Sequence, residues 1–175
     1  MKRNLIAFGD GIVRLRLIEE RDLETTLSWR NRDAVRIWFK TSDPIPLESH
    51  KAWFQRYLEK DNDFLFIVET PGDPARPVGQ ASVYDIDWEA RSAEVGRFLV
   101  APQEGGKGYM ARACRALIDY CGGELGLDYV FLEVLECNER ARRLYERNGF
   151  SEEDRHDGLI RMGRTIASLR AIVEA

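Results

Sequence analysis

The chain has 175 residues, 44% of them apolar, and a formal net charge of −4, which suits one ordinary core in one domain spanning residues 1–175. Bulk electrostatics at such a charge do not favour nucleic acid or an anionic membrane, so any anionic ligand must be held by local cations or helix ends. Cys114, Cys121 and Cys137 are odd in number and form no C-x-x-C pair, which points to reduced thiols rather than disulfides. Neither these nor His50 and His156 have zinc-ligand spacing, so no metal is expected. No apolar run approaches membrane-spanning length. Lys2 and Arg3 precede only the stretch Leu5 to Phe8, too short for a signal peptide, and a cytoplasmic location is expected.

Val13, Leu15 and Leu17 alternate with Arg14 and Arg16 as a half-buried strand. Leu23, Thr26, Leu27 and Arg30 follow at helical spacing. Pro44 and Pro46 interrupt the chain, and Pro46 suits the opening of a helix. That helix carries the stripe His50, Trp53, Phe54, Tyr57 and Leu58. Phe64 to Val68 reads as a buried strand, and Thr70 to Pro77 as a surface turn before the strands Val78 to Ile86 and Ala93 to Val100. A glycine-rich turn, Gly105 to Gly108, leads into a helix with Met110, Cys114, Leu117, Ile118 and Cys121 on one face. Gly122 and Gly123 weaken its end, each by about 1 kcal/mol relative to Ala. Tyr129 to Leu135 is an apolar strand whose single acid is Glu133. Asn138 suits the N-cap of a short helix with Ala141, Leu144 and Tyr145 inward, and Gly149 its C′ position. Phe150 to His156 and Leu159 to Ile166 predict a hairpin about Asp157-Gly158; Ala167 to Ala175 reads as a short helix. The order gives a mixed α/β layout, an antiparallel meander joined by helical crossovers to later strands.

The strand ending at Val100 runs into Pro102-Gln-Glu-Gly-Gly-Lys-Gly108 and then a helix. N–H groups at such a turn and helix start converge on one anion, and the missing side chains at Gly105, Gly106 and Gly108 let it come close. A diphosphate is the natural guest. The turn is neither a Walker loop nor G-x-G-x-x-G, and taken alone it is equally a plain turn. With Gln103-x-x-Gly106-x-Gly108 come Asn138-x-x-Ala141, Leu144-Tyr145-Glu146 and Gly149-Phe150. This set, over about residues 93–150, resembles the signature of the GNAT superfamily of N-acetyltransferases. The resemblance implies an α/β (α+β) fold with a mixed central sheet of about seven strands, splayed between 93–100 and 129–135 and flanked by helices, and acetyl-CoA as cosubstrate. It implies that Phe98, Leu99 and Val100 offer backbone groups to the pantetheine and thioester. Gln103, Gly105, Gly106, Lys107, Gly108 and Tyr109 would hold the phosphates, and Asn138 would contact the cofactor. Gln103 departs from the family, which often has Arg there. The turn is also short, and Gly122-Gly123 falls where a continuous helix is usual.

Acetyl transfer to an amine needs a base for the ammonium, donors for the thioester oxygen and an acid for the leaving thiolate. Glu133, an acid within an apolar strand, is the candidate base, since such a setting raises a carboxyl pKa; some GNAT enzymes place a Glu there. Glu94, on the neighbouring strand, is the substitute, and an exposed acid is the plainer reading of Glu133. Tyr145 matches the position of the family's acid. A phenol of reference pKa about 10 can donate to a thiolate whose thiol resembles cysteine's, about 8.5; packing beside Leu144 is its plainer role. A strand N–H near Leu99 or Val100 would polarise the thioester carbonyl.

The acceptor is expected in the N-terminal half. Leu27-Ser-Trp-Arg-Asn31, Arg36, Trp38 and His50-x-x-Trp53-Phe54 are similar to GNAT enzymes of the pseudaminic-acid pathway type, which act on nucleotide-linked amino sugars. Arg30, Arg32 and Arg36 could pair with a diphosphate, and Trp38, Phe39 or Trp53 stack on a base or sugar. Arg30, Trp38 and Glu94 are the candidate substrate-side residues, and the resemblance makes a small amine, linked to a nucleotide sugar, the acceptor. A Trp-Arg-Asn stretch is shared with ribosomal-protein N-terminal acetyltransferases, so a protein or peptide acceptor is the alternative. A non-catalytic acyl-CoA-binding module is the third reading, against which Glu133 and Tyr145 argue. Leu159 to Ile166 is a candidate to pair across a homodimer.

Overall fold

The computed structural model describes residues 5–39 and 41–166. Alternation and short turns build an antiparallel meander of β1 (Phe8–Gly9), β2 (Arg14–Leu17), β3 (Phe64–Thr70), β4 (Arg76–Asp87) and β5 (Ser92–Val100). The helices α1 (Leu23–Arg30), α2 (Asp33–Arg36) and α3 (Leu47–Glu59) lie between β2 and β3. After β5 the chain crosses over through α4 (Tyr109–Gly123) to β6 (Tyr129–Leu135), which pairs parallel to β5, as a crossover of that length permits. Then α5 (Glu139–Arg147) leads to β7 (Ser151–His156) and β8 (Leu159–Thr165). The eight strands run β1-β2-β3-β4-β5-β6-β8-β7 across one sheet. No helix of the described residues is long and apolar enough to cross a membrane.

Each face of the sheet carries its own core. Phe64, Phe66 and Val68 join Val130, Leu132 and Val134 against Cys114, Leu117, Ile118 and Cys121 of α4. Leu65 and Ile67 pack on the opposite face with Phe54 and Tyr57 of α3. Burial on both faces explains why this stretch of β3 is an unbroken apolar run rather than an alternating one. Burial also pushes the Cys114 thiol up to about 12 and raises that of Cys121 further, leaving both as inert packing groups.

The hairpin forms as expected, with Asp157 at φ 48° and Gly158 at φ 77° between β7 and β8. Gly149, at φ 82°, closes α5. Several expectations are corrected. The two-residue β1 and four-residue α2 are too short to leave a periodic signal. Pro46 is the N-cap of α3 rather than its first residue, and Leu58 of the aromatic stripe is 40% exposed. Strand β8 cannot pair across a dimer, because β6 and β7 occupy both of its edges. The helix read at Ala167 to Ala175 lies outside the described residues.

One ion cluster is buried where β2 meets β3. The Glu69 carboxylate accepts from Arg14 and, at 3.0 Å, from Arg16 Nε, while Arg16 grips Asp22 with both terminal nitrogens at 2.7 and 2.8 Å. Glu69 and Asp22 are both buried. Removing one charge strands its partner in a poorly solvated place. Glu69→Gln is expected to cost roughly 3 kcal/mol of stability, read as a lower urea midpoint with an unchanged slope.

Candidate active site

The site begins where two strands part. β5 and β6 are paired only at Ser92↔Tyr129, Ala93↔Val130 and Glu94↔Phe131. Beyond that, β5 stays with β4 through Gly79↔Val100 and β6 stays with β8 through Leu135. The divergence coincides with a bulge: the β4–β5 register shifts between Gln80 and Ser82, and Arg97 adopts a left-handed φ of 51°. This conformation costs a side-chain-bearing residue about 1–2 kcal/mol. Arg97 is held in it from three directions. Asp63 accepts from its guanidinium at 2.7 and 3.2 Å, the Tyr84 ring lies 4.0 Å beneath it, and Gln80 Nε2 donates to its carbonyl at 3.3 Å.

The bulge decides which peptide groups face the gap. The Leu99 carbonyl lies against Gly79 of β4, and Ala101 N–H donates to Val78 at 2.9 Å. By the alternation of an extended strand, the peptides of Phe98 and Val100 point to the side that β6 has left. Leu99, expected to share this role, is turned toward the sheet instead.

At the end of β5 the turn alternates its handedness, with Gln103 at φ 66°, Gly106 at φ 80° and Gly108 at φ 79°. Gly108 is the N-cap of α4 and supplies no capping side chain, so the first N–H groups of the helix stay available to an anion. Such a cradle fits a diphosphate. Lys107 is not a free phosphate ligand here: its ammonium donates to Glu104 at 3.0 Å, and Arg76 binds the same buried carboxylate. Arg140 of α5 comes within 3.7 Å of where a β-carbon on Gly105 would lie. Arg76 and Arg140 carry no signal in the sequence, because one falls in the stretch that reads as a surface turn although it opens β4, and the other sits in an arginine-rich helix without distinguishing pattern. Asn138 caps α5, its Oδ1 accepting from Ala141 N–H at 3.2 Å.

Tyr145 reaches the gap from the α4 side, its ring 5.7 Å from Phe98 and 6.0 Å from Phe150. Its hydroxyl makes no hydrogen bond to the described residues. Burial raises the phenol pKa, so at neutral pH it is a proton donor and not a base. The acids stand on the other face, since Ala93, Val95, Val130 and Leu132 fill the α4 side. Glu94 accepts from the Tyr84 hydroxyl at 2.6 Å. Glu133, half-buried and two residues past the last β5–β6 pair, has His156 Nε2 at 3.4 Å, whose other nitrogen is 3.5 Å from Asp154.

On this second face a cavity of about 300 Å³ opens between α1, α3 and the bulge. Arg30, Phe39, His50, Trp53, Gln80 and Arg97 contribute to its wall. Arg30 lies 3.9 Å over the Phe39 ring and donates to the Thr41 carbonyl. Asn31 clamps Ile45 with two bonds of 2.8 Å, and Trp29 packs under Leu99 and Ala101. Trp53 serves both cavity and packing, stacking on His50 and Tyr57 at 5.2 Å each. Trp38 does not join the wall and is 43% exposed. Arg36 is engaged by Asp33 at 2.9 Å and the Ser42 carbonyl at 2.7 Å. Gln80 and Arg97 gave no sequence signal, because only the bulge aims them here. Among the described residues no cluster of three or more His, Cys, Asp or Glu is grouped to hold a metal ion.

The chain is 30% identical over 142 residues to spermidine N(1)-acetyltransferase of Escherichia coli K12, spanning 81% of this chain and 74% of that protein. It is 29% identical over 156 residues to a putative ribosomal N-acetyltransferase of Bacillus subtilis 168, spanning 84% and 82%. The crystal structure of spermidine N-acetyltransferase from Vibrio cholerae in complex with CoA and spermine shares the fold with a TM-score of 0.81 at 23% identity, covering 89% of this chain and 96% of that one. None of these three is named for a nucleotide-linked sugar, so the pseudaminic-acid likeness of residues 27–54 is not supported. A model described as the acetyltransferase (GNAT) domain matches residues 13–151, and the chain belongs to that family as an acetyl-CoA-dependent N-acetyltransferase.

Proposed function

We propose that this chain, as a single domain, moves acetyl directly onto the primary amine of a small acceptor entering from the α1–α3 side. The parting of β5 and β6 after Glu94 and Phe131 carries this reading, since it sets Tyr145 on one side of a gap and two acids on the other. Acetyl-CoA supplies an already activated acyl group. The Gly108 end of α4, with Gln103, Gly105, Gly106 and Tyr109, would hold the diphosphate; Lys107 and Arg140 add positive charge there. Phe98 and Val100 present peptide groups along the gap, and Asn138 keeps its amide nitrogen for the same ligand.

Glu133 takes the proton from the acceptor ammonium, with Glu94 as the second candidate. Tyr145 donates to the departing sulfur. The Phe98 or Val100 N–H meets the carbonyl oxygen as it gains charge, a preorganised contact of the kind that dominates such catalysis. A polyamine acceptor is the second reading, favoured by the relatives named for spermidine. A nucleotide-linked sugar is supported by less: the cavity, at about 300 Å³, is at the lower limit for ligand sites. For assembly, a fold neighbour from Vibrio cholerae is described as dodecameric. Self-association of this chain would use surfaces other than β8.

Tyr145→Phe is expected to lower kcat about a hundredfold or more while changing KM for acetyl-CoA little, as the loss of a general acid does. Glu133→Gln is expected to cost about a hundredfold in kcat/KM and remove the acidic limb of its pH profile; if Glu94→Gln does so instead, the base is reassigned. Gly106→Ala, strained at positive φ, is expected to raise KM for acetyl-CoA about tenfold. Titration calorimetry that detects no coenzyme A binding to the folded protein would sink the reading.

A further inference from the structure

The cavity between α1, α3 and β5 has a charge imbalance, and we infer that its acceptor is an amine that also bears an anionic group, a carboxylate or phosphate, which pairs with the Arg30 guanidinium. The inference rests on the acetyl transfer proposed above and names its acceptor class.

Among the described residues two arginines border the cavity and no Asp or Glu does. Arg97 is answered from behind by Asp63. Arg30 has no carboxylate partner among the described residues. Its Nη2 donates to the Thr41 carbonyl and its plane rests on Phe39. Its Nη1 is shielded from water and has no hydrogen-bond partner among the described residues. Burial lowers the Arg30 pKa, yet a guanidinium stays charged at any physiological pH. A charged donor left unpaired carries its full desolvation penalty, and the geometric complement of its fork is a carboxylate or phosphate.

The surroundings sharpen the choice. His50 is also pushed down by burial, so at neutral pH it adds neither a further cation nor a counter-charge. Phe39, Trp53 and Ile18 make much of the remaining wall, and such low-polarity surroundings strengthen an ion pair formed there. The floor is Gln80 and Arg97 at the bulge, beside the Phe98 and Val100 peptides. An acceptor anchored at Arg30 by its anion thus extends its amine toward the parted strands. A polyamine has only positive charge to offer, and this wall has no acid to receive it.

The test compares matched amines that differ only in the anion: phenylalanine with phenylalaninamide, and glucosamine 6-phosphate with glucosamine, each titrated into coenzyme A-saturated protein and assayed for turnover, with spermidine alongside. In at least one pair the anionic member should bind about tenfold tighter or better, the range of a hydrogen bond to a charged group. Arg30→Met should erase that preference and Arg30→Lys retain part of it, with unchanged coenzyme A binding reporting that both variants fold. The favoured pair tells carboxylate from phosphate. Equal binding within both pairs, no binding by either anionic member, or a preference that survives Arg30→Met overturns the inference. Turnover of spermidine that exceeds every anionic amine overturns it as well. Failure of coenzyme A binding in the wild type overturns the transfer reaction itself.

Discussion

Asp63 holds Arg97 in a backbone conformation that an arginine does not choose unaided, and the two halves of the site follow from that contact. The bulge it supports turns the β5 alternation by one step. Ala93 and Val95 pack on the α4 face with Phe98 after them, whereas Leu99 reaches the opposite cluster with Trp29. A regular β5 would continue its ladder onto β6 and close the gap with its own hydrogen bonds. The cost of one left-handed residue, about 1–2 kcal/mol, is set against a bidentate pair whose Asp63 carboxylate is buried and would be stranded without Arg97.

The two sides of the parted strands differ in how they treat charge. On the α4 side the cations of the turn are partly met already, Glu104 standing between Arg76 and Lys107, and backbone N–H groups at a bare N-cap supply the rest of the positive field. On the α3 side the pattern is inverted. Acids line the sheet surface at Glu94 and Glu133, while the cavity beyond them is walled by aromatic rings and arginine. Tyr145 and the two carboxylates approach one gap from opposite faces without touching, as the acid and base roles proposed above would require.

Most of the architecture was legible because it is written in period and punctuation. The unbroken run Phe64 to Val68, the seven-residue spacing of Cys114 and Cys121, the Asn138 cap and the Asp157-Gly158 turn each have a local physical cause that survives in the fold. The half of the site proposed for the coenzyme was legible for the same reason: glycines and one strand end make it. The acceptor half was not. Gln80 and Arg97 are ordinary strand residues until the bulge turns them toward the cavity, and Trp38 and Phe39, adjacent in sequence, part company over which lines it. Lys107 illustrates the limit best. Its position was foreseen, but the carboxylate three residues earlier that occupies it is a fact of side-chain geometry. The edge order of the sheet, which leaves β7 and not β8 outermost, is likewise a topological outcome that no strand announces by itself.

At the end of α1 three consecutive residues perform three separate tasks: Trp29 wedges beneath β5, Arg30 tethers the chain at Thr41, and Asn31 pins Ile45. The wall over the cavity therefore hangs from one turn of helix, on an element that supplies neither the glycine turn nor Tyr145. Such modularity makes substrate preference cheap to alter during descent. Point changes in this short tether can remodel what is recognised while the machinery of group transfer stays untouched, a division consistent with relatives at about 30% identity bearing the names of unlike amines.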